Sequence, residues 1–82
     1  MLNITIYSKK ECHLCDIAKE ELEFIRHEYD FSLKEINIEK DAVSFEKFKH
    51  LIPVVEVDGK IISTGKVNGE KIKDILKQKS QL

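Results

Sequence analysis

Leu2-Asn3-Ile4-Thr5-Ile6-Tyr7-Ser8-Lys9-Lys10-Glu11-Cys12-His13-Leu14-Cys15 is the stretch in which the chain changes its hydrophobic period. Leu2, Ile4 and Ile6 alternate with Asn3 and Thr5, and Tyr7 closes the run, so residues 2–7 read as a strand. Ser8, Lys9, Lys10 and Glu11 form a polar loop. Beyond it Leu14, Ala18, Leu22, Ile25 and Tyr29 step by four, four, three and four, which is one face of a helix. Ile17 and Phe24 widen that face, while Lys19, Glu20, Glu23 and Arg26 take the solvent side.

Residues 32–38 give a second strand, and Glu39-Lys40-Asp41 opens a short second helix carrying Val43, Phe45 and Phe48, with Asp41 as its N-cap. The two phenylalanines read as core. Val54-Val55-Glu56-Val57-Asp58-Gly59-Lys60-Ile61-Ile62 places Asp-Gly between two β-branched runs, so 54–57 and 60–63 should pair as an antiparallel hairpin. Gly65 turns the chain, and Asn68 caps a last helix in which Ile72, Ile75 and Leu76 follow helical spacing. The tail from Lys77 to Leu82 is expected to fray. The order β-α-β-α-β-β-α is that of an α/β fold: a four-stranded mixed sheet flanked by three helices, with right-handed crossovers.

The 82 residues suffice for one domain, residues 1–82, with one modest core. Fourteen Lys and Arg against fifteen Asp and Glu leave a net charge of −1, without the basic surplus of a nucleic-acid binder. Apolar residues recur along the whole length, which argues against disorder. No apolar run approaches the roughly 18 residues of a membrane span, and Met1-Leu2-Asn3-Ile4-Thr5 lacks a basic secretory leader. A cytoplasmic monomer, binding neither membrane nor nucleic acid, is the expectation.

Two cysteines are too few for the disulfide framework of a small secreted protein. Their spacing, Cys12-His13-Leu14-Cys15, would arise by chance about one time in forty, and a Cys-x-x-Cys at a strand-to-helix junction is a redox signal. The plainer alternative is a pair of buried thiols acting as small hydrophobes.

Three motifs in this order resemble the glutaredoxins of the thioredoxin-like superfamily, over Asn3 to about Leu76. Ser8 to Cys15 looks like their active-site loop, with a lysine, Lys9, three residues before the first cysteine. Ile52-Pro53-Val54-Val55 resembles their cis-proline segment, and Asp58-Gly59 with Gly65 falls where their hairpin and turn lie. Two features depart from the pattern. The central pair is His13-Leu14, as in small glutaredoxin-like proteins with a Cys-His-Leu-Cys site, and Ser63-Thr64-Gly65-Lys66-Val67-Asn68 replaces the Gly-Gly and Asp that bind glutathione. That replacement weighs against glutathione as a co-substrate.

The resemblance implies a thiol–disulfide oxidoreductase whose only redox group is the Cys12–Cys15 disulfide, with no further cofactor. Cys12 at the first turn of the helix meets unpaired N–H groups that favour its thiolate, so it is the expected nucleophile. Cys15, one turn on, is the resolving thiol, and a small local adjustment closes the bond between them. Substrates would be protein or low-molecular-weight disulfides, with a reductase or glutathione as electron donor. By spacing alone Pro53 is an ordinary trans proline at a strand entry. The resemblance implies instead a cis Ile52–Pro53 bond facing the cysteines, with the Ile52 backbone pairing to an extended substrate. Lys9 reads either as a solvated charge or, by resemblance, as an attractor for a substrate carboxylate. His13 either stabilises the Cys12 thiolate or is an exposed turn residue, while His27 and His50 read as solvated and Tyr7 as a packing residue. Two other functions stay open: a zinc or iron–sulfur module pooling cysteines across a dimer, and a non-catalytic interaction domain on the same fold.

Overall fold

A computed structural model describes residues 2–80, the last of them, Ser80, by its backbone alone. Along the chain run β1 (Leu2–Ser8), α1 (His13–Arg26), β2 (Phe31–Asn37), a 3-10 turn (Ile38–Lys40), α2 (Ala42–Phe48), β3 (Val54–Val57), β4 (Lys60–Thr64) and α3 (Gly69–Ser80). The four strands form one mixed sheet in the order β2-β1-β3-β4. β1 pairs parallel with β2 and antiparallel with β3, and β3 pairs antiparallel with β4.

Alternation along β1 sends Ile4 and Ile6 to the face covered by α1 and α3. There they join Phe31, Val55 and Val57 of the sheet with Ala18, Leu22 and Ile25 of α1 and Ile72 and Leu76 of α3. The opposite face carries α2, where Ile38, Phe48 and Val54 are buried and Tyr7 and Ile52 pack against them. The hairpin between β3 and β4 turns on Asp58 and Gly59, at φ 50° and 86°, the positive pair that a two-residue type I′ turn requires. Asp58 also ties the hairpin to β1: the Asn3 N–H donates to its carboxylate at 2.9 Å, and its own N–H donates to the Asn3 carbonyl at 2.8 Å. Asn68 caps α3, its side-chain oxygen accepting from the N–H groups of Glu70 and Lys71 at 3.1 and 3.3 Å.

Several expectations need correction. The buried stripe of α1 is Cys15, Ala18, Leu22 and Ile25, whereas Leu14, Ile17 and Phe24 are exposed, Phe24 at 62%. Cys15 takes the core position at the start of the stripe, which rotates Leu14 outward. Tyr29 lies past the helix end, half-buried in the turn into β2. That strand begins at Phe31 and ends at Asn37, because Ile38 turns into the 3-10 segment. Phe45 and Val43 are exposed, since a seven-residue α2 presents one narrow stripe to the sheet. Asp41 occupies the N-cap position of α2, but its carboxylate accepts from the Ser44 hydroxyl at 2.6 Å rather than from a backbone N–H. Lys77 to Lys79 are helical, α3 being held by Ile72 and Leu76 beneath it; Gln81 and Leu82 lie outside the described residues.

Candidate active site

The strand directions bring the motifs to one end of the sheet. Tyr7, near the end of β1, stands opposite Val54, the first residue of β3. The loop 9–12 that leaves β1 and the segment Ile52–Pro53 that enters β3 therefore emerge at the same edge. The Ile52–Pro53 peptide is cis, with the Pro53 ring buried and Ile52 half-buried.

Cys12 is the N-cap residue of α1, with an extended backbone at φ −120° and ψ 103°. Its sulfur accepts the Cys15 N–H at 3.2 Å, and its carbonyl accepts the Asp16 N–H at 3.1 Å. The sulfur thus meets one of the N–H groups that a helix leaves without an internal partner. The sulfurs of Cys12 and Cys15 are bonded, across a Cα separation of 5.2 Å that lies within the ordinary disulfide range. Cys12 is half-buried, whereas Cys15 is wholly buried at 0% exposure. Of the two, only Cys12 offers a surface to an incoming molecule.

The residue before Cys12 is conformationally unusual. Glu11 sits at φ 54°, in the left-handed region that costs a side-chain-bearing residue about 1–2 kcal/mol. The loop is anchored next to it, the Lys10 N–H donating to the Glu39 carboxylate at 3.4 Å. Lys9, Lys10 and His13 are exposed around Cys12, and Leu14 and Ile17 add apolar surface on the adjoining turn of α1.

Two side-chain groups beneath the loop were not legible in the sequence. The buried Ser8 hydroxyl donates to Glu35 Oε2 at 2.8 Å, and Lys19 Nζ donates to the same oxygen at 3.0 Å. The Ser8 hydrogen bond, then that from Lys19, holds the Glu35 carboxyl below its ordinary value, and Glu35 in turn raises Lys19. Both stay charged at neutral pH. On the other face the Tyr7 ring packs against Phe48, tilted by 42° with centroids 4.5 Å apart, and its hydroxyl donates to Glu56 at 3.3 Å. Burial, then the Glu56 carboxylate, pushes the phenol up, so it remains a donor. These contacts join residues far apart in sequence with no motif linking them. The one available hint was an acid, Glu35, at the β2 position that follows Phe31 and Leu33 by alternation. Among the described residues no group of three or more His, Cys, Asp or Glu is placed to hold a metal ion.

The sequence pattern of the glutaredoxin-like domain (DUF836) matches residues 3–77. This chain belongs to that glutaredoxin-like family. A glutaredoxin-like protein of Dictyostelium discoideum is 33% identical over 78 residues, spanning 87% of this chain and 71% of its own length. Among solved structures, a Nitrosomonas europaea protein superimposes with a TM-score of 0.80 at 21% identity, covering 92% of this chain and 91% of that one. A protein from X. campestris gives 0.76 at 24% identity, covering 92% and 96%. A thioredoxin of Halobacterium salinarum gives 0.77 at 14%, covering 99% and 76%. The glutaredoxin-like chain therefore has a thioredoxin-like fold, and its bonded cysteine pair gives it a redox-type site.

Proposed function

We propose that this glutaredoxin-like protein is a dithiol–disulfide oxidoreductase of the cytoplasm, acting as a one-domain monomer on protein or low-molecular-weight disulfides. The observation that carries the reading is the division of labour in the pair: a half-buried Cys12 at a helix N-terminus, bonded to a fully buried Cys15. In the reduced protein the helix N-terminus and the Cys15 N–H favour the Cys12 thiolate. The thiolate attacks a substrate disulfide and expels one thiol. Cys15 then attacks Cys12, closing the internal disulfide and releasing the second thiol. The substrate gains two electrons, and the cysteine pair loses them. A reductase or glutathione returns the protein to its dithiol form, and no other cofactor takes part.

Four further residues serve the substrate in this reading. Lys9 draws a carboxylate toward the reacting sulfur, and His13 beside Cys12 favours the thiolate when protonated. Ile52 offers its backbone to an extended chain, with Pro53 shaping the wall behind it. The test is a pair of variants assayed for reduction of a small disulfide and of a protein disulfide. Cys12→Ser is expected to lower both by at least about a hundredfold. Cys15→Ser should complete the first step and accumulate a mixed disulfide on Cys12, detected by mass. Retained activity in Cys12→Ser, with no mixed disulfide formed by Cys15→Ser, would overturn the assignment.

A further inference from the structure

Glu35 joins the two flanks of the cysteine segment through one oxygen atom. Ser8 is the last residue of β1, immediately before the loop 9–12, and its buried hydroxyl donates to Glu35 Oε2 at 2.8 Å. Lys19 follows Cys15 by four residues, one helical turn, and donates to that same oxygen at 3.0 Å while lying 3.6 Å from Asp16 Oδ1. Glu35 itself is on β2, in register with Ile6 of β1. The segment between Ser8 and Lys19, which holds both cysteines, is thus tied at each end to β2.

We infer that Glu35 is a positioning residue for the cysteine pair: by holding Ser8 and Lys19 on one carboxylate oxygen it fixes the span from β1 to α1, and so keeps Cys15 in reach of Cys12. The inference rests on the oxidoreductase reading. The step it serves is the second exchange. The Cys15 thiolate attacks the Cys12 sulfur of a mixed disulfide, the Cys12–Cys15 bond forms, and the bond from Cys12 to the substrate sulfur breaks. The leaving sulfur carries off the electron pair and takes a proton from water. That step is intramolecular, so its rate and equilibrium follow the effective concentration of one sulfur at the other. Slack between β1 and α1 lowers that concentration.

Overall stability hardly depends on this contact. The Glu35 side chain is 47% exposed, and pairs of that kind contribute little to folding, so variants should fold and report on the site. Glu35→Ala removes both the charge and the bridging oxygen, whereas Glu35→Gln keeps an acceptor oxygen without the charge. The full chain and both variants are equilibrated against defined glutathione buffers. Free thiols are trapped, and the adduct on Cys12 is counted by mass. In the Cys15→Ser background, the pH dependence of iodoacetamide alkylation gives the Cys12 pKa.

Glu35→Ala is expected to weaken the internal disulfide about fivefold, a shift of about 20 mV toward a less negative potential. Glutathione adduct on Cys12 should rise with it. Glu35→Gln should recover more than half of the shift, and the Cys12 pKa should stay where it is in the parent. An unchanged potential in Glu35→Ala overturns the inference. So does a shift in Glu35→Gln as large as that in Glu35→Ala with a moved Cys12 pKa, because charge rather than span would then be acting. A parent chain that forms no internal disulfide in any buffer defeats the oxidoreductase reading itself, and this inference falls with it.

Discussion

The sheet face under α1 and α3 buries residues from five elements in one cluster, whereas the face under α2 buries Ile38, Phe48 and Val54 at one end. The larger cluster takes Ile4 and Ile6 from the central strand and closes over them with Leu22, Ile25, Ile72 and Leu76. The smaller one includes Tyr7 and Ile52 at its rim, one near the end of β1 before the cysteine loop and the other the first residue of the cis peptide. One face therefore carries most of the apolar burial that stabilises the fold, and the other seats the cis-peptide segment of the site. A short α2 with one buried ring is enough for the second task.

That contrast is broken or upheld most directly by truncating one residue on each face. Leu22→Ala removes a wholly buried side chain between α1 and the sheet and should cost about 3–4 kcal/mol. In a domain whose total stability is on the order of 5–15 kcal/mol, that is roughly a fifth of the total or more. Phe48→Ala takes away the ring against Tyr7, but α2 is short and can settle into the gap, so about 2–3 kcal/mol is expected. Urea denaturation measures both. Hydrogen exchange then locates the second effect: amides around Val54 should lose protection in Phe48→Ala while those of the β1–β2 ladder keep theirs. If Phe48→Ala costs more than Leu22→Ala, the faces have the opposite importance.

The well-packed face was also the more legible in sequence. Ile4 and Ile6 on an alternating strand, and Ala18, Leu22 and Ile25 on a helical stripe, announce their direction by period alone. The hairpin at Asp58-Gly59 and the cap at Asn68 are equally local in origin, each set by backbone chemistry within three residues. Period fails where an element is short: in α2, Phe45 and Phe48 are three apart and read alike, yet the sheet covers only Phe48. It fails at Leu14 because a small residue, Cys15, owns the core position there. The cysteine pair was legible as a motif. Its setting of Ser8, Lys19 and Glu35 was not, because hydrogen bonds across 16 and 27 residues leave no trace in spacing.

That setting is the charged rim of the otherwise apolar α1 face. Glu35 titrates below its ordinary value of 4.5 in the folded chain because it accepts from Ser8 and Lys19. A carboxyl with a lowered folded value adds stability that is present above the unfolded value and lost as pH falls through the folded one. Lys19, raised above 10.5, adds stability that is present below that value and lost as pH rises through the folded one. At neutral pH both contributions are in place, and with groups this exposed they should total less than about 1 kcal/mol. Glu35→Gln should therefore be slightly less stable than the parent at pH 7, with the gap closing toward pH 3. Denaturation curves at the two pH values decide it, and a gap of equal size at both would mean that ionisation is not its source.

Two glycines, one at each end of the contrast, separate backbone strain from crowding. Gly65 lies at the site end, where its N–H donates to the Leu51 carbonyl at 2.8 Å. Nothing stands within 4 Å of a Cβ built on it, but its φ is +69°. Gly65→Ala should therefore cost about 1 kcal/mol through backbone strain alone, less whatever the lost freedom of the unfolded chain returns. Gly69 opens α3 on the packed face, where the constraint is space: a Cβ would stand 2.6 Å from Glu21 Oε2 and 3.9 Å from Ile25 Cδ1. The closer atom is the tip of a flexible, exposed side chain that can swing away, and the farther one is in ordinary contact. Alanine is also the better helix former, so Gly69→Ala should fall within about 0.5 kcal/mol of the parent. A loss above about 1 kcal/mol at Gly69 would mean that α1 and α3 cannot give even at their exposed seam, and that the packed face is more rigid than its apolar contacts require.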